Sequence, residues 1–299
     1  MYRFVIAVAA LVVVSAPPVA PAQQLGQVFV EVKSRSTGEP VLDLEPDAFE
    51  VTEDGRAAGV VSADLDAVPM KIALLIDNGD RVAAANALNP LRAGLLGFLD
   101  ALAPQHEISV MTIARSVQQQ LDFTTDRAAL REAVGLLFPD QGAGVRLLDG
   151  IRETWERRFE GDEAFPVMVL VLTDGTESSR HYNEQQYGDL IDTLISNGVT
   201  VHTVILASRW GVRAQQVLPQ YAINITQNTG GVLENFVAPS GYEQVLPRLA
   251  ERMNTHYDAV STRYRLLFER PDPPGSQVSV TLAGSGLTFR LFIDRRMPQ

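Results

Sequence analysis

Val169-Leu170-Val171-Leu172-Thr173-Asp174-Gly175 is an unbroken apolar run that stops at an aspartate and a glycine. A second run of the same kind, Ile72 to Ile76, ends at Asp77. Continuous runs of leucine and β-branched residues mark strands buried on both faces, as in a parallel sheet covered by helices. Ile108 to Ile113, Val167 to Leu172 and Val199 to Leu206 extend the series. Helical spacing fills the intervals. Leu147, Leu148, Ile151, Trp155 and Phe159 share one face; Tyr187, Leu190, Ile191, Leu194 and Ile195 share another, stopped by Asn197-Gly198; Val245, Leu246, Leu249, Met253 and Tyr257 make a third. Strand–helix alternation over 68–258 predicts an α/β domain with a mostly parallel sheet. Val117 to Leu121 follows its predecessor too closely for a helical crossover and is expected as an antiparallel hairpin partner.

On either side the rhythm changes to period two. In 23–67, Val28, Val30 and Val32 alternate, Gly38-Glu39-Pro40 turns, and Phe49-Glu50-Val51 runs into Glu53-Asp54-Gly55-Arg56. In 259–299, Tyr264, Leu266 and Phe268 alternate, Pro271 to Gly275 turns, and Val278, Val280 and Leu282 alternate again before Leu287, Phe289, Leu291 and Ile293. Such runs read as antiparallel strands. Neither piece has enough strands to be a stable sheet alone. The two are expected to pair into one small antiparallel β-sandwich, with the central domain inserted between them.

Residues 1–22 read as a signal peptide. Arg3 precedes the apolar run Phe4 to Val14, prolines break it, and Ala20-Pro21-Ala22 has the small-x-small pattern of a cleavage site. The run is too short to span a bilayer comfortably, and no other stretch is long enough. The mature protein is expected to be exported, periplasmic or secreted, with no membrane insertion after cleavage. Of the 299 residues, 46% are hydrophobic and 20% charged, ordinary globular values that allow a sizeable core. A net charge of -11 argues against a nucleic-acid partner, which needs a basic surface. The absence of cysteine removes thiol nucleophiles, zinc–thiolate sites and iron–sulfur clusters.

Ligands of an open parallel sheet bind beyond the carboxyl ends of its strands. Asp77 and Asp174 stand there and are expected to share one crevice. Two carboxylates leaving dry strands are costly unless a cation or hydrogen-bond donors meet them. Helix capping explains either one alone, but the pair less well.

At this point the chain resembles the von Willebrand factor type A family. The resemblance lies in the strand Ile72–Asp77 and its following helix, in Leu121-Asp122-Phe123-Thr124-Thr125-Asp126, in Gly144 to Ile151, and in Val169 to Gly175. Phe49 to Gly55 and Tyr264-Arg265-Leu266-Leu267-Phe268 are similar to the β segments that bracket the domain in exported bacterial members. The resemblance implies a Rossmann-like α/β fold and metal-assisted binding of a partner's carboxylate. The family's metal site, Asp-x-Ser-x-Ser with a threonine and a further aspartate, suits magnesium. Here Asp77 and Asp174 match the aspartates, but Gly79 and Arg81 replace the serines and Val145 the threonine. The metal site is thus degenerate: no cofactor is expected, and magnesium held by Asp77 and Asp174 is the alternative. Arg81 is the candidate cation in its place, bridging Asp77, Asp174 or both.

The expected binding rim comprises Asp77, Gly79, Arg81, Arg146, Asp174, Glu177, Arg180, Arg209 and Trp210, with His181 and Tyr182 in the same loops. Arginine and tryptophan there suit a protein partner. No catalytic residue is assigned, because no nucleophile stands with the aspartates. The reading is a non-catalytic, exported protein-binding module. A structural subunit of an envelope assembly and a hydrolase using the paired aspartates are the alternatives.

Overall fold

A computed structural model describes residues 24–161, 164–207 and 217–296. The expected signal peptide lies outside the described residues. The chain begins with strands β1 (Leu25–Ser34), β2 (Phe49–Glu53), β3 (Arg56–Ala58) and β4 (Val60–Leu65). The central domain follows with β5 (Met70–Ile76), α1 (Asp80–Ala84), α2 (Leu88–Ala101), β6 (Glu107–Thr112), β7 (Gln118–Thr124), α3 (Arg127–Gly135) and α4 (Leu147–Thr154). A π-helical turn, Trp155–Phe159, extends α4. Then come β8 (Phe165–Thr173), α5 (Glu184–Ser196), β9 (Thr200–Leu206), α6 (Val217–Asn228), β10 (Leu233–Phe236) and α7 (Gly241–Ser261). The chain closes with β11 (Arg263–Glu269), β12 (Val278–Leu282) and β13 (Leu287–Phe292).

The central sheet has six strands in the order β10-β9-β8-β5-β6-β7. All neighbours are parallel except β7, which runs antiparallel to β6 as its short connection requires. Every residue of β8 is buried, which is why its sequence is continuously apolar. Alternate residues feed two cores. Ile72, Leu74 and Ile76 pack with α2, α3 and α7, whereas Ala73 and Leu75 pack with α4, α5 and α6. Local chemistry sets the helix ends. Asp126 caps α3 by accepting from the Ala128 and Ala129 amides, and Asn183 and Gln186 cap α5 reciprocally. Gly198, at φ +66, stops α5 as its sequence predicted. Gly94 lets α2 approach α7: a Cβ there would lie 2.5 Å from the Tyr242 carbonyl oxygen.

The terminal segments form the expected antiparallel sandwich. One sheet is β13-β1-β11-β4 and the other is β12-β2-β3. N- and C-terminal strands interleave in both, because neither segment could complete a sheet by itself. Val30, Val32, Phe49, Val51, Leu266 and Phe268 fill the space between them. The sandwich is tied to the central domain by charge as well as apolar contact. Asp66, fully buried, accepts two hydrogen bonds from Arg295 at 2.7 Å each. The Arg295 guanidinium also lies over the rings of Phe29 in β1 and Phe165 in β8, at 5.6 and 5.1 Å from their centroids. It thus joins both parts of the chain. Asp66→Ala would leave this guanidinium, mostly buried, without its carboxylate. Removing one partner of a buried pair costs about 3–5 kcal/mol, so the urea midpoint should fall accordingly.

Two buried histidines make stability pH-dependent. His202 Nδ1 accepts the Val232 amide at 3.0 Å and His106 Nδ1 accepts the Met70 amide at 3.1 Å, so both rings are held neutral. Burial lowers their pKa values to about 3 and about 4 respectively. Because the folded values lie below the ordinary 6.5, the unfolded chain takes up protons first. Their contribution is complete above pH 6.5 and is lost as pH falls toward the folded values. Asn at 202 retains an acceptor but does not titrate. Between pH 6.5 and 4, the wild type is expected to lose stability relative to His202→Asn by at most about 1.4 kcal/mol per pH unit, measured by urea unfolding.

Candidate functional site

β5 and β8 are adjacent and parallel, so Asp77 and Asp174 emerge side by side at their carboxyl ends. The backbone ladder continues through both. The Asp77 amide donates to Val171 O at 2.9 Å, and the Asp174 amide donates to Leu206 O at 3.0 Å. Both residues are buried, at 1% and 5% exposure. Their carboxylates are met in different ways. Asp77 Oδ1 accepts the Gly79 amide at 2.7 Å, and Oδ2 accepts the Thr173 amide at 3.0 Å and the Thr173 hydroxyl. Burial nonetheless pushes the Asp77 carboxyl above its usual range, against the pull of these donors. Asp174 Oδ1 accepts from Arg81 Nε at 3.1 Å and Nη2 at 3.0 Å. The Arg81 cation therefore pairs with Asp174, while Asp77 relies on neutral donors.

The positions of the family's other metal ligands are closed or apolar. A Cβ on Gly79 would stand 2.6 Å from Ala143 O, which leaves no room for a serine side chain. Val145 is buried and presents methyl groups. With both Asp77 oxygens bonded and Arg81 on Asp174, this donor set does not fit octahedral magnesium. Among the described residues, no group of three or more His, Asp or Glu side chains is arranged to hold a metal.

Hydrogen bonds connect the loops instead. The Asp80 amide donates to Ala143 O at 3.1 Å, tying the start of α1 to the second loop, between α3 and α4; the third loop is that between β8 and α5. Val145 N donates to Thr176 O at 2.8 Å and Ser178 N donates to Val145 O at 2.6 Å, tying the second loop to the third. Asp149, in the first turn of α4, is fully buried and fastens the third loop. Its Oδ2 accepts Arg146 Nε at 2.9 Å and the Arg180 amide at 3.1 Å, and its Oδ1 accepts the Tyr182 hydroxyl at 3.1 Å. Its own amide donates to Ser179 Oγ at 3.1 Å. Burial alone would raise the Asp149 pKa, but the Arg180 amide and the Arg146 guanidinium hold it below the usual carboxylate range. The rim expected from sequence did not include Asp149. Its one accessible signal was an acidic residue inside the apolar face Leu147-Leu148-Ile151. Arg152, in the last turn of α4, donates to Tyr182 Oη at 2.9 Å and to Glu156.

The expected rim separates into three groups. Asp77, Gly79 and Asp174 are buried, because strand ladders and loop backbones close over them. Arg81, Arg146 and Glu177 are partly exposed, the first two engaged by carboxylates. Glu177 Oε1 accepts the Ser179 amide at 2.8 Å, and burial pushes its carboxyl upward. Arg180 is exposed, and its guanidinium has no ion pair among the described residues. Beside it opens a cleft of about 740 Å³, lined in part by Arg152, Trp155, Arg180, His181 and Tyr182. A smaller hollow of about 290 Å³ borders Arg81, Asp174, Leu206 and Val237. Arg209 and Trp210 lie outside the described residues.

This sheet order, with its strand-end crevice, is that of a von Willebrand factor type A domain. A von Willebrand factor type A structure from Catenulispora acidiphila superposes with a TM-score of 0.51 at 14% identity, over 90% of this chain and 72% of that one. Its breadth of coverage includes the terminal β segments and establishes the fold. BatB from Bacteroides thetaiotaomicron gives 0.48 at 11% identity, over 62% and 99% of the two chains. The vWF domain of the type V pili tip protein Mfa5 from Porphyromonas gingivalis gives 0.48 at 13%, over 63% and 96%. No protein-family profile and no curated protein matches the sequence.

Asp149→Ala removes the acceptor of the Arg180 amide and the Tyr182 hydroxyl together. Hydrogen exchange at the Arg180 amide is expected to accelerate by about tenfold or more, as a bond to a charged group worth about 1.5–3 kcal/mol is lost. Unchanged exchange would remove Asp149 from its fastening role.

Proposed function

We propose that the protein is an exported, non-catalytic binding module that recognises a protein partner through the strand-end rim, without a metal. The observation that carries this reading is the Arg81–Asp174 pair. It puts a fixed positive charge at the crevice where the resemblance expected a cation. A guanidinium is always charged and its planar fork holds a carboxylate with directional bonds, so it can fix the site permanently. The backbone bonds among the three loops make the rim rigid before a partner arrives, which lowers the ordering cost of association. Arg180, exposed and without an ion pair among the described residues, stands beside an aromatic-lined cleft and is the contact residue this reading favours. Catalysis is disfavoured because each aspartate is already engaged: Asp77 by three donors and Asp174 by a guanidinium. Neither is free to serve as a base. Export follows from the reading of residues 1–22. Among the described residues no helix is long and apolar enough to cross a membrane.

Magnesium titration of the full chain by calorimetry is expected to give no saturable heat. Tight stoichiometric binding, abolished by Asp77→Ala, would overturn the metal-free site. For the partner, affinity capture from the native envelope should recover the same protein with and without chelator. Arg180→Ala should reduce that recovery about tenfold, the effect of losing one hot-spot arginine. Capture that depends on divalent cations, or is indifferent to Arg180, would count against the rim.

A further inference from the structure

The two sheets of the sandwich are unequal, four strands against three. β12 and the sandwich core cover the start of the edge strand β13, where Leu287 packs, but the strand emerges beyond it. β13 pairs with β1 in the register Val30↔Leu291 and Val32↔Phe289. Cross-strand partners project to the same face, so Phe289 and Leu291 point the same way as Val30 and Val32, which are fully buried in the sandwich core. Yet Phe289 is 40% exposed, Leu291 is 36% exposed, and Ile293 just beyond them is 80% exposed. Among the described residues, no strand covers the row from Phe289 onward.

The main chain at the same residues is also open. The Arg35 amide donates to Gly286 O at 2.8 Å, which sets the phase of the antiparallel ladder. Residues 286, 288, 290 and 292 direct their amides and carbonyls toward β1, so Phe289 and Leu291 direct theirs outward. The order of the sheet gives β13 a single neighbour, β1, among the described residues. An apolar, unprotected edge of this kind is a template for another strand.

We propose that β13 is a β-augmentation site that takes an extended segment of a second protein, with alternating apolar residues and a carboxylate placed opposite Arg290. Three exposed side chains present a few hundred Å², whereas a stable dimer buries roughly 800 Å² per partner. A second folded copy is therefore a poor occupant, while an added strand gains main-chain hydrogen bonds along the whole edge. The charge requirement follows from β1 itself. Glu31 stands opposite Arg290 on the paired side, but Glu31 is engaged by Lys33 at 2.9 Å. Arg290 is exposed, has no ion pair among the described residues and lies over the Phe292 ring. It remains available to a carboxylate on the open side. This site lies on the terminal sheets and does not depend on the rim reading.

The test uses the full chain and a fluorescent peptide copying Gln27 to Ser34, which has the required alternation and a glutamate. Fluorescence anisotropy should show saturable binding that a scrambled peptide lacks. The double variant Phe289→Lys, Leu291→Lys should weaken it by at least about tenfold, with circular dichroism unchanged. Should that variant misfold, Arg290→Glu provides the second arm: it should weaken the parent peptide and recover binding when the peptide glutamate is changed to lysine. No binding to the wild type, or equal binding to the folded double variant, overturns the proposal. So does a wild-type dimer in sedimentation that dissociates in the double variant, since the edge would then belong to a second copy.

Discussion

Two carboxylates buried at the ends of adjacent strands are the constraint around which this domain is arranged. Parallel strands β5 and β8 are apolar along almost their whole length, because helices cover both their faces. Their ends deliver Asp77 and Asp174 into the same dry crevice, where an unmatched charge is costly. The loops converge to match them. Gly79 and Thr173 donate to Asp77, and Arg81 reaches from the first turn of α1 to Asp174. Thr173 reaches from the end of β8 to Asp77 and Arg81 from α1 to Asp174, so solvating the aspartates also ties the segments that follow the two strands together.

The same logic recurs one layer out. Asp149 is a third buried carboxylate, and it gathers Arg146, the Arg180 amide and the Tyr182 hydroxyl. It converts the segment after Asp174 from a free loop into a wall of the cleft. The rim is thus held by charge-assisted hydrogen bonds between its own side chains and main chain. Arg295 does comparable work between the parts of the chain, where it neutralises Asp66 and covers the rings of Phe29 and Phe165.

The insertion of the central domain has a structural consequence for the sandwich. Strands from the two ends of the chain alternate in each sheet, so the sandwich exists only once both ends have met. Its interior is complete over β1, β2 and β11 but thins toward β13, where Phe289 and Leu291 emerge. The molecule therefore has two distinct kinds of surface. One is a rim whose charges are mostly matched internally, and the other is a strand edge whose apolar side chains and main-chain groups are not.

The sequence by itself determined the architecture, because burial imposes periodicity and periodicity survives in one dimension. Val167 to Leu172 had to be a buried strand, Asn197-Gly198 had to end a helix, and Val28, Val30 and Val32 had to line one face of a sheet. It also located the crevice, since Asp77 and Asp174 interrupt apolar runs at strand ends. It did not determine which charges meet. Arg81 could have served either aspartate, and only the tertiary structure assigns it to Asp174. Asp149 gave almost no signal, because two of its partners, the Arg180 amide and the Tyr182 hydroxyl, lie about thirty residues away and are brought to it by the crossing of α4 and the third loop. The rim illustrates the same limit: Asp77, Gly79 and Asp174 were legible as site residues, but their burial was not. Exposure depends on which segments pass over a residue, and that is a property of the assembled fold rather than of any local stretch.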